Sequence, residues 1–98
     1  MISKRELSAK VAEIAGLDRD GAYSEDVGRA LFAGAAFETL GYTFKLKDMK
    51  PRELTVSEWK AVVTNPAGDV ITVEDEEAAL ALCLALVKAF EAMAGRAQ

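Results

Sequence analysis

The last third of the chain limits its possible folds most, because it combines a helical period with apolar side chains on two sides. Asp75 is predicted to cap a helix over residues 75–94, with Glu76 and Glu77 near the positive end of the helix dipole. Apolar residues lie on one side of this helix (Leu80, Leu84, Val87, Phe90) and on another (Leu82, Leu86, Met93). Both sides must be covered, so we expect a sheet on one and other helices or a partner subunit on the second.

Two more helices are predicted in the first half of the chain. Ser3 and Glu6 have the spacing of a capping box, which starts a helix over residues 3–15. Ser24 is predicted to cap a second helix, over residues 24–40, because serine is a favoured residue immediately before a helix.

The second helix is rich in small residues, namely Gly28, Ala30, Ala33, Gly34, Ala35 and Ala36. A glycine inside a helix costs about 1 kcal/mol relative to alanine, so something should compensate for Gly34. We expect another element to approach its backbone closely, either within the fold or from a second chain. Together with the two-sided apolar helix, this predicts a homodimer.

The middle of the chain is predicted to form three strands. Residues 42–47 alternate between apolar and polar side chains, which is typical of a half-buried strand. A second strand is predicted over 56–64, with Trp59 on its core face, and a third over 70–74. Residues 65–68, with the sequence Asn-Pro-Ala-Gly, favour a tight hairpin turn between the last two strands.

These elements give the order α-α-β-β-β-α. A three-stranded antiparallel sheet needs helices on one or both faces to bury its apolar side chains. The sequence therefore predicts one layered α+β domain over residues 1–98.

Composition argues against several classes of partner. The net charge is −4, which gives no general attraction to nucleic acid or to anionic membranes. The most apolar stretch, residues 78–87, is too short to span a bilayer, and the first residues do not have the pattern of a signal peptide. Cys83 is the one cysteine, so no internal disulfide can form and a reducing compartment is expected. The predicted location is the cytoplasm.

No catalytic, cofactor or metal site is predicted. The chain has no histidine, and Cys83 lies between leucines where a buried cysteine behaves as a small apolar residue. Residues 18–29 depart from the calcium-loop pattern at three positions that the pattern requires. The acidic run 74–77 is explained by the helix dipole, although Mg²⁺ is the alternative. The glycines follow no phosphate-loop spacing. We expect a protein that is not an enzyme.

Four residues are candidates for contact with a ligand or a partner. Tyr23 precedes the second helix, and Arg19 and Arg29 are near it in sequence, so a small phosphate-bearing ligand could bind there. The alternative is a tyrosine packed in a connector. Trp59 is predicted to belong to the core, although tryptophan is also a favoured anchor in protein interfaces.

Two segments resemble the phage ABA-sandwich domain family. Residues 23–26, with the sequence Tyr-Ser-Glu-Asp, are similar to the entry of that family's second helix. Residues 78–89 are similar to its final helix, and a sheet segment carrying Trp59 lies between the two. The chain departs from the family at Ala79, where proline is common, and in the length of 48–58. The resemblance implies a small cytoplasmic protein encoded by a tailed phage or prophage, with no catalytic residues to carry over.

The functional expectation combines what this resemblance implies with the two apolar or small-residue helices and the lack of a predicted catalytic site. A small phage or prophage accessory protein that binds a host or phage protein is favoured. The alternative is a protein that binds or sequesters a nucleotide-like ligand through the segment from Arg19 to Arg29. Binding to nucleic acid, and mimicry of it, would need a stronger charge than the chain carries.

Overall fold

The computed structural model describes residues 3–52 and 54–96. Its elements follow the predicted order α-α-β-β-β-α: α1 (Lys4–Ala15), α2 (Val27–Glu38), β1 (Thr43–Asp48), β2 (Trp59–Thr64), β3 (Val70–Asp75) and α3 (Ala78–Arg96). The predicted α+β class and the antiparallel sheet are both confirmed.

The sheet is a meander with β2 at its centre. β1 and β3 pair with β2 in antiparallel fashion, and Phe44, Val63 and Ile71 lie side by side across the three strands. Because side chains alternate between faces, these residues point with Ala61 and Val73 towards the core. The residues between them are exposed or half-buried, so the helices cover one face of the sheet.

α3 is the central helix of the core. It packs against β2 and β3 on one side and against α1 and α2 on the other. Its buried residues are Ala79, Ala81, Leu82, Cys83, Ala85, Leu86, Val87 and Ala89. The prediction that α3 is covered on two sides is confirmed, and elements of the same chain provide the cover. The apolar character of α3 therefore gives no support to a homodimer.

α3 is also longer than the ten-residue apolar run in the sequence. By length and composition alone, Ala78–Gly95 could cross a membrane. Core helices of globular proteins share this property, and here the helix lies between the sheet and the other two helices.

The start of α2 differs from the prediction. α2 begins at Val27, and Asp26 caps it by accepting hydrogen bonds from the amides of Gly28 (2.7 Å) and Arg29 (3.2 Å). Ser24 is fully buried instead, and its hydroxyl donates to the Lys4 carbonyl. The Asp26 carboxylate caps α2 in place of Ser24, because the Ser24 hydroxyl is bonded to α1.

Other predicted boundaries shift by a few residues. β2 begins at Trp59 and not at residue 56, and α2 ends at Glu38 and not at residue 40. Asp75 belongs to β3, so α3 starts only at Ala78. The Asp75 carboxylate still accepts the amide of Glu77 at 2.9 Å, which keeps its role at the helix entrance. 

The predicted helix start and hairpin turn are confirmed. The Ser3 hydroxyl accepts the Glu6 amide at 3.1 Å and donates to the Glu6 carboxylate at 3.2 Å. In the turn, the Gly68 amide donates to the Asn65 carbonyl at 2.9 Å. Gly68 has φ +91°, a conformation that glycine adopts without strain.

Gly34 is explained by packing within the fold. A Cβ atom placed on Gly34 would lie 2.6 Å from Cε1 of Phe44, which shows that the ring packs directly on the α2 backbone. The close approach expected from the sequence thus comes from a side chain of β1.

Candidate functional site

The segment before α2 holds Arg19 and Tyr23, two of the four residues predicted to contact a ligand or a partner, and Arg29 lies in the first turn of α2. Tyr23 is buried, and its hydroxyl donates to the Asp18 carbonyl at 2.8 Å. Arg29 donates from Nη1 to the Gly21 carbonyl at 3.0 Å. A Cβ atom on Gly21 would overlap the Tyr23 ring, so glycine is required for this packing. The Tyr23 hydroxyl and the Arg29 guanidinium thus both bond to carbonyls of the segment before α2. This is what the alternative of a tyrosine packed in a connector predicts.

A pair of buried serines anchors the same connector to α1. The Ser24 amide donates to Ser8 Oγ at 3.0 Å, and the two hydroxyl oxygens are 2.7 Å apart. Since Ser24 Oγ gives its proton to the Lys4 carbonyl at 2.6 Å, the Ser8 hydroxyl must donate to Ser24. All described bonds of this cluster are internal, so it is a structural feature and does not form a ligand site.

Arg19 lines a cleft of about 260 Å³ that Tyr23 and Arg29 do not line. The cleft is lined by Arg5, Ser8, Arg19, Asp20, Ala22 and Glu25. Two guanidinium groups here face two carboxylates, so the cleft has no net positive charge to attract a phosphate. Sites for small ligands usually have volumes of roughly 300–1,000 Å³, and this cleft falls below that range.

Trp59 lies at the start of β2, between Asp48 of β1 and Asp75 of β3. It is half-buried against the core, and its ring nitrogen donates to Ser57 Oγ at 2.9 Å. Trp59 does not line the cleft that contains Arg19. Of the four candidate residues, Arg19 is the one that lines this cleft.

Cys83 lies inside the core and has the environment of an unreactive thiol. It is fully buried, and burial raises its pKa to about 12. At neutral pH the thiol therefore keeps its proton, whereas nucleophilic cysteines act as thiolates. The predicted position of Cys83 in the core is confirmed.

Two of the acidic residues before α3, Asp75 and Glu77, are engaged in structural contacts. Glu77 pairs with Lys4 of α1 at 2.6 Å, and its amide is bonded to the Asp75 carboxylate. Within residues 3–52 and 54–96, no group of three or more histidine, cysteine or acidic side chains has an arrangement that could hold a metal ion.

A groove between α1 and α3 has a volume of about 390 Å³. It is lined by Lys10, Glu13, Ile14, Val87, Phe90 and Glu91. Lys10 and Glu91 approach each other to 3.9 Å. The groove has an apolar floor and both signs of charge at its rim, an arrangement that favours no particular ligand.

The most distinctive surface is the side of α2 that faces away from the core, which we call the α2 outer face and define as Val27, Gly28, Leu31, Phe32 and Ala35. Phe32 is 53% exposed, Val27 44% and Leu31 42%. The opposite side of α2 is buried through Ala30, Ala33, Gly34 and Phe37. α2 is therefore apolar on two sides, and residues 3–52 and 54–96 cover only one of them.

Sequence reasoning did not identify this surface. It emphasised the small residues of α2 and left out Leu31 and Phe32, which the sequence places on a second apolar stripe. The spacing of 28, 31, 32 and 35 (i, i+3, i+4, i+7) was the available signal.

No protein-family model, curated protein or solved structure matches the chain. The fold is an α+β domain in which α2 and α3 pack on one face of a three-stranded antiparallel meander and α1 packs on these two helices. Membership of the phage ABA-sandwich family stays a prediction from the resemblance.

Proposed function

We propose that this protein is a small, non-enzymatic accessory protein of a phage or prophage, which works in the bacterial cytoplasm by binding other proteins. The observation that carries the proposal is the α2 outer face, where Leu31 and Phe32 are exposed on a regular helix. Contiguous apolar side chains on a soluble domain are typical of a protein interaction site. The resemblance to the phage family supports the proposed origin.

The chemistry of this face suits protein binding. A helix that presents an apolar stripe offers a rigid surface, and an aromatic residue at its centre is a common interface anchor. Fully burying a side chain such as Phe32 contributes about 1.5–3 kcal/mol, so covering its exposed half contributes about half of that. Such a gain for each exposed side chain favours a contact that covers this face.

The nucleotide-binding alternative has weaker support, because Tyr23 and Arg29 already bond to the connector and Arg19 faces carboxylates in its cleft. A thermal-shift titration with nucleoside mono-, di- and triphosphates tests it, since a ligand that binds only the folded state raises the melting temperature. We expect no shift. A shift of several degrees that Arg19→Ala removes would favour the alternative.

The protein-binding proposal is tested by capture from phage-infected bacteria with three tagged baits. These are the wild type, Phe32→Asp and Val70→Asp. Val70 is the matched control, because it is 61% exposed but lies on β3 and not on α2. We expect wild type and Val70→Asp to retain the same proteins and Phe32→Asp to lose them. Equal capture by all three folded baits, or none by the wild type, would contradict the proposal.

A further inference from the structure

We infer that the outer edge of β1 binds an extended peptide segment of another protein, in which apolar and acidic residues alternate. The segment adds a further strand beside β1 and antiparallel to it, as the other strands of the sheet are. This inference goes beyond the proposed function, because it concerns an edge of the sheet and not the α2 outer face. Three features of β1 define the partner: its outward backbone groups, its half-buried apolar side chains and its two lysines.

The backbone groups on one side of β1 point away from the sheet. β1 is an edge strand, and β2 is its neighbour. The Met49 amide donates to the Glu58 carbonyl at 2.8 Å, which continues the pairing of the two strands and fixes its pattern. Bonded residues alternate in an antiparallel pair, so the amides and carbonyls of Phe44, Leu46 and Asp48 point outward. Nothing in the described part of the chain bonds to these groups, which leaves them free to pair with a further strand.

The apolar layer under the sheet is only partly covered at β1. Phe44 and Leu46 point towards the core, but both are half-buried. Val63 and Ala61, beside them on β2, have a strand on each side and are 0% exposed. A strand beside β1 covers Phe44 and Leu46 in the same way when its residues on that face are apolar. The partner therefore needs an apolar residue at every second position.

The other face of β1 favours acidic residues in the partner. Lys45 and Lys47 are exposed there, and neither forms an ion pair with a described residue. β2 does not neutralise them, because it places Val62 beside Lys45 and Lys60 beside Lys47. Within the three strands, the acidic residue of this face is Glu74, on β3 beyond Lys60. Opposite charges directly across neighbouring strands are stabilising, so acidic residues opposite the two lysines of β1 complete the face.

The same lysines disfavour a second copy of β1 as the partner. In an antiparallel pair of β1 strands centred on Leu46, lysines 45 and 47 of the two copies lie opposite each other. Like charges in that position oppose pairing, and edge strands commonly use charged residues to prevent self-association. The lysines therefore select an acidic strand and reject a copy of their own.

The first test titrates the synthetic peptide acetyl-Thr-Val-Glu-Val-Glu-Val-Thr-amide into the isotope-labelled full chain and follows the backbone amides by NMR. We expect excess peptide to slow the hydrogen exchange of the Phe44, Leu46 and Asp48 amides at least about tenfold. The same peptide with lysine in place of both glutamates should give no protection. No protection by the acidic peptide, equal protection by both peptides, or protection confined to β3 would overturn the inference.

The second test assigns the binding to the lysines of β1. In the double variant Lys45→Glu with Lys47→Glu, the affinity for the acidic peptide should fall at least about tenfold, and the lysine peptide should bind in its place. Lys10→Glu with Lys88→Glu is the matched control, because it changes the net charge equally but on α1 and α3. We expect this control to keep the wild-type preference, with circular dichroism confirming that both double variants fold. Equal loss in both, or no reversal of preference in the β1 variant, would contradict the proposed charge pairing.

The third test addresses the backbone and leaves the protein unchanged. In the antiparallel arrangement the valine amides of the peptide face β1, whereas its glutamate amides face away. N-methylation of the valines should therefore abolish binding, and N-methylation of the glutamates should preserve it. Equal binding of the two methylated peptides, or the reverse preference, would overturn antiparallel strand addition.

Discussion

Gly34→Ala is the sharpest test of how α2 packs on the sheet. Gly34 lies in the interior of α2, and a Cβ atom there would be 2.6 Å from Cε1 and 2.8 Å from Cζ of Phe44. Carbon atoms pack best at about 3.5–4.0 Å, so the ring must move by about 1 Å. Phe44 has little room to move, because it belongs to β1 and packs against the core.

Two opposing effects set the size of the change. Alanine favours the helix by about 1 kcal/mol relative to glycine. Forcing extra volume into a packed core costs about 1–3 kcal/mol. We expect the packing cost to exceed the helix gain at Gly34, with a net loss of about 1 kcal/mol. For a chain of this length that lowers the melting temperature by about 4–8 °C.

Gly95→Ala is the matched control for this substitution. Gly95 lies in α3, and a Cβ atom there meets nothing within 4 Å. Only the greater helix propensity of alanine then applies, so this variant should be as stable as the wild type or slightly more stable. Urea unfolding measures both variants.

A double-mutant cycle with Phe44→Leu assigns the loss to the ring. Gly34→Ala should be less damaging when the smaller leucine is present, because the clash is with the Phe44 ring. If Gly34→Ala is as stable as Gly95→Ala, the proposed contact between α2 and β1 is wrong.

Three other substitutions test the core. Asn65→Ala should cost about 2–4 kcal/mol in urea unfolding, because the buried amide of Asn65 donates to Asp69 and to the Ala89 carbonyl and accepts two turn amides. Tyr42→Phe should leave the free energy of unfolding unchanged or raise it, since the buried hydroxyl has no partner within the described residues. Cys83→Ala should reduce alkaline destabilisation. The unfolded thiol ionises above pH 9.0, whereas the folded one keeps its proton to about pH 12, so wild-type stability falls by up to about 1.4 kcal/mol per pH unit between them. An equal pH dependence in both proteins would contradict the last prediction.

The sheet was predictable from sequence because its signals are local. Alternation fixes which side chains of residues 42–47 face the core, and the Asn-Pro-Ala-Gly turn of residues 65–68 fixes the pairing of the strands beside it. The amide of Asn65 shows where local reasoning stops. Its bond to the Ala89 carbonyl joins the turn to α3 across 24 residues, and no sequence spacing announces it.

The start of α2 was not predictable for the same reason. Ser24 and Asp26 are both good caps, and sequence alone favoured the serine. The choice is made by Ser8, 16 residues earlier, which holds the Ser24 amide and hydroxyl. The same limit applies to Tyr23 and Arg29. The sequence shows their polar groups, but it does not show that both groups donate to carbonyls of the segment before α2.

The exposure of Phe32 follows from how α2 is held and not from loose packing. To bury Phe32, the helix would have to turn by roughly 150° about its axis, at 100° per residue. That turn would remove Phe37 from its edge-to-face contact with Tyr42, at 5.0 Å between ring centroids. It would also replace Gly34 under the Phe44 ring with a residue that carries a side chain. The packing of α2 against α3 and β1 therefore holds Phe32 at the surface, where it is 53% exposed.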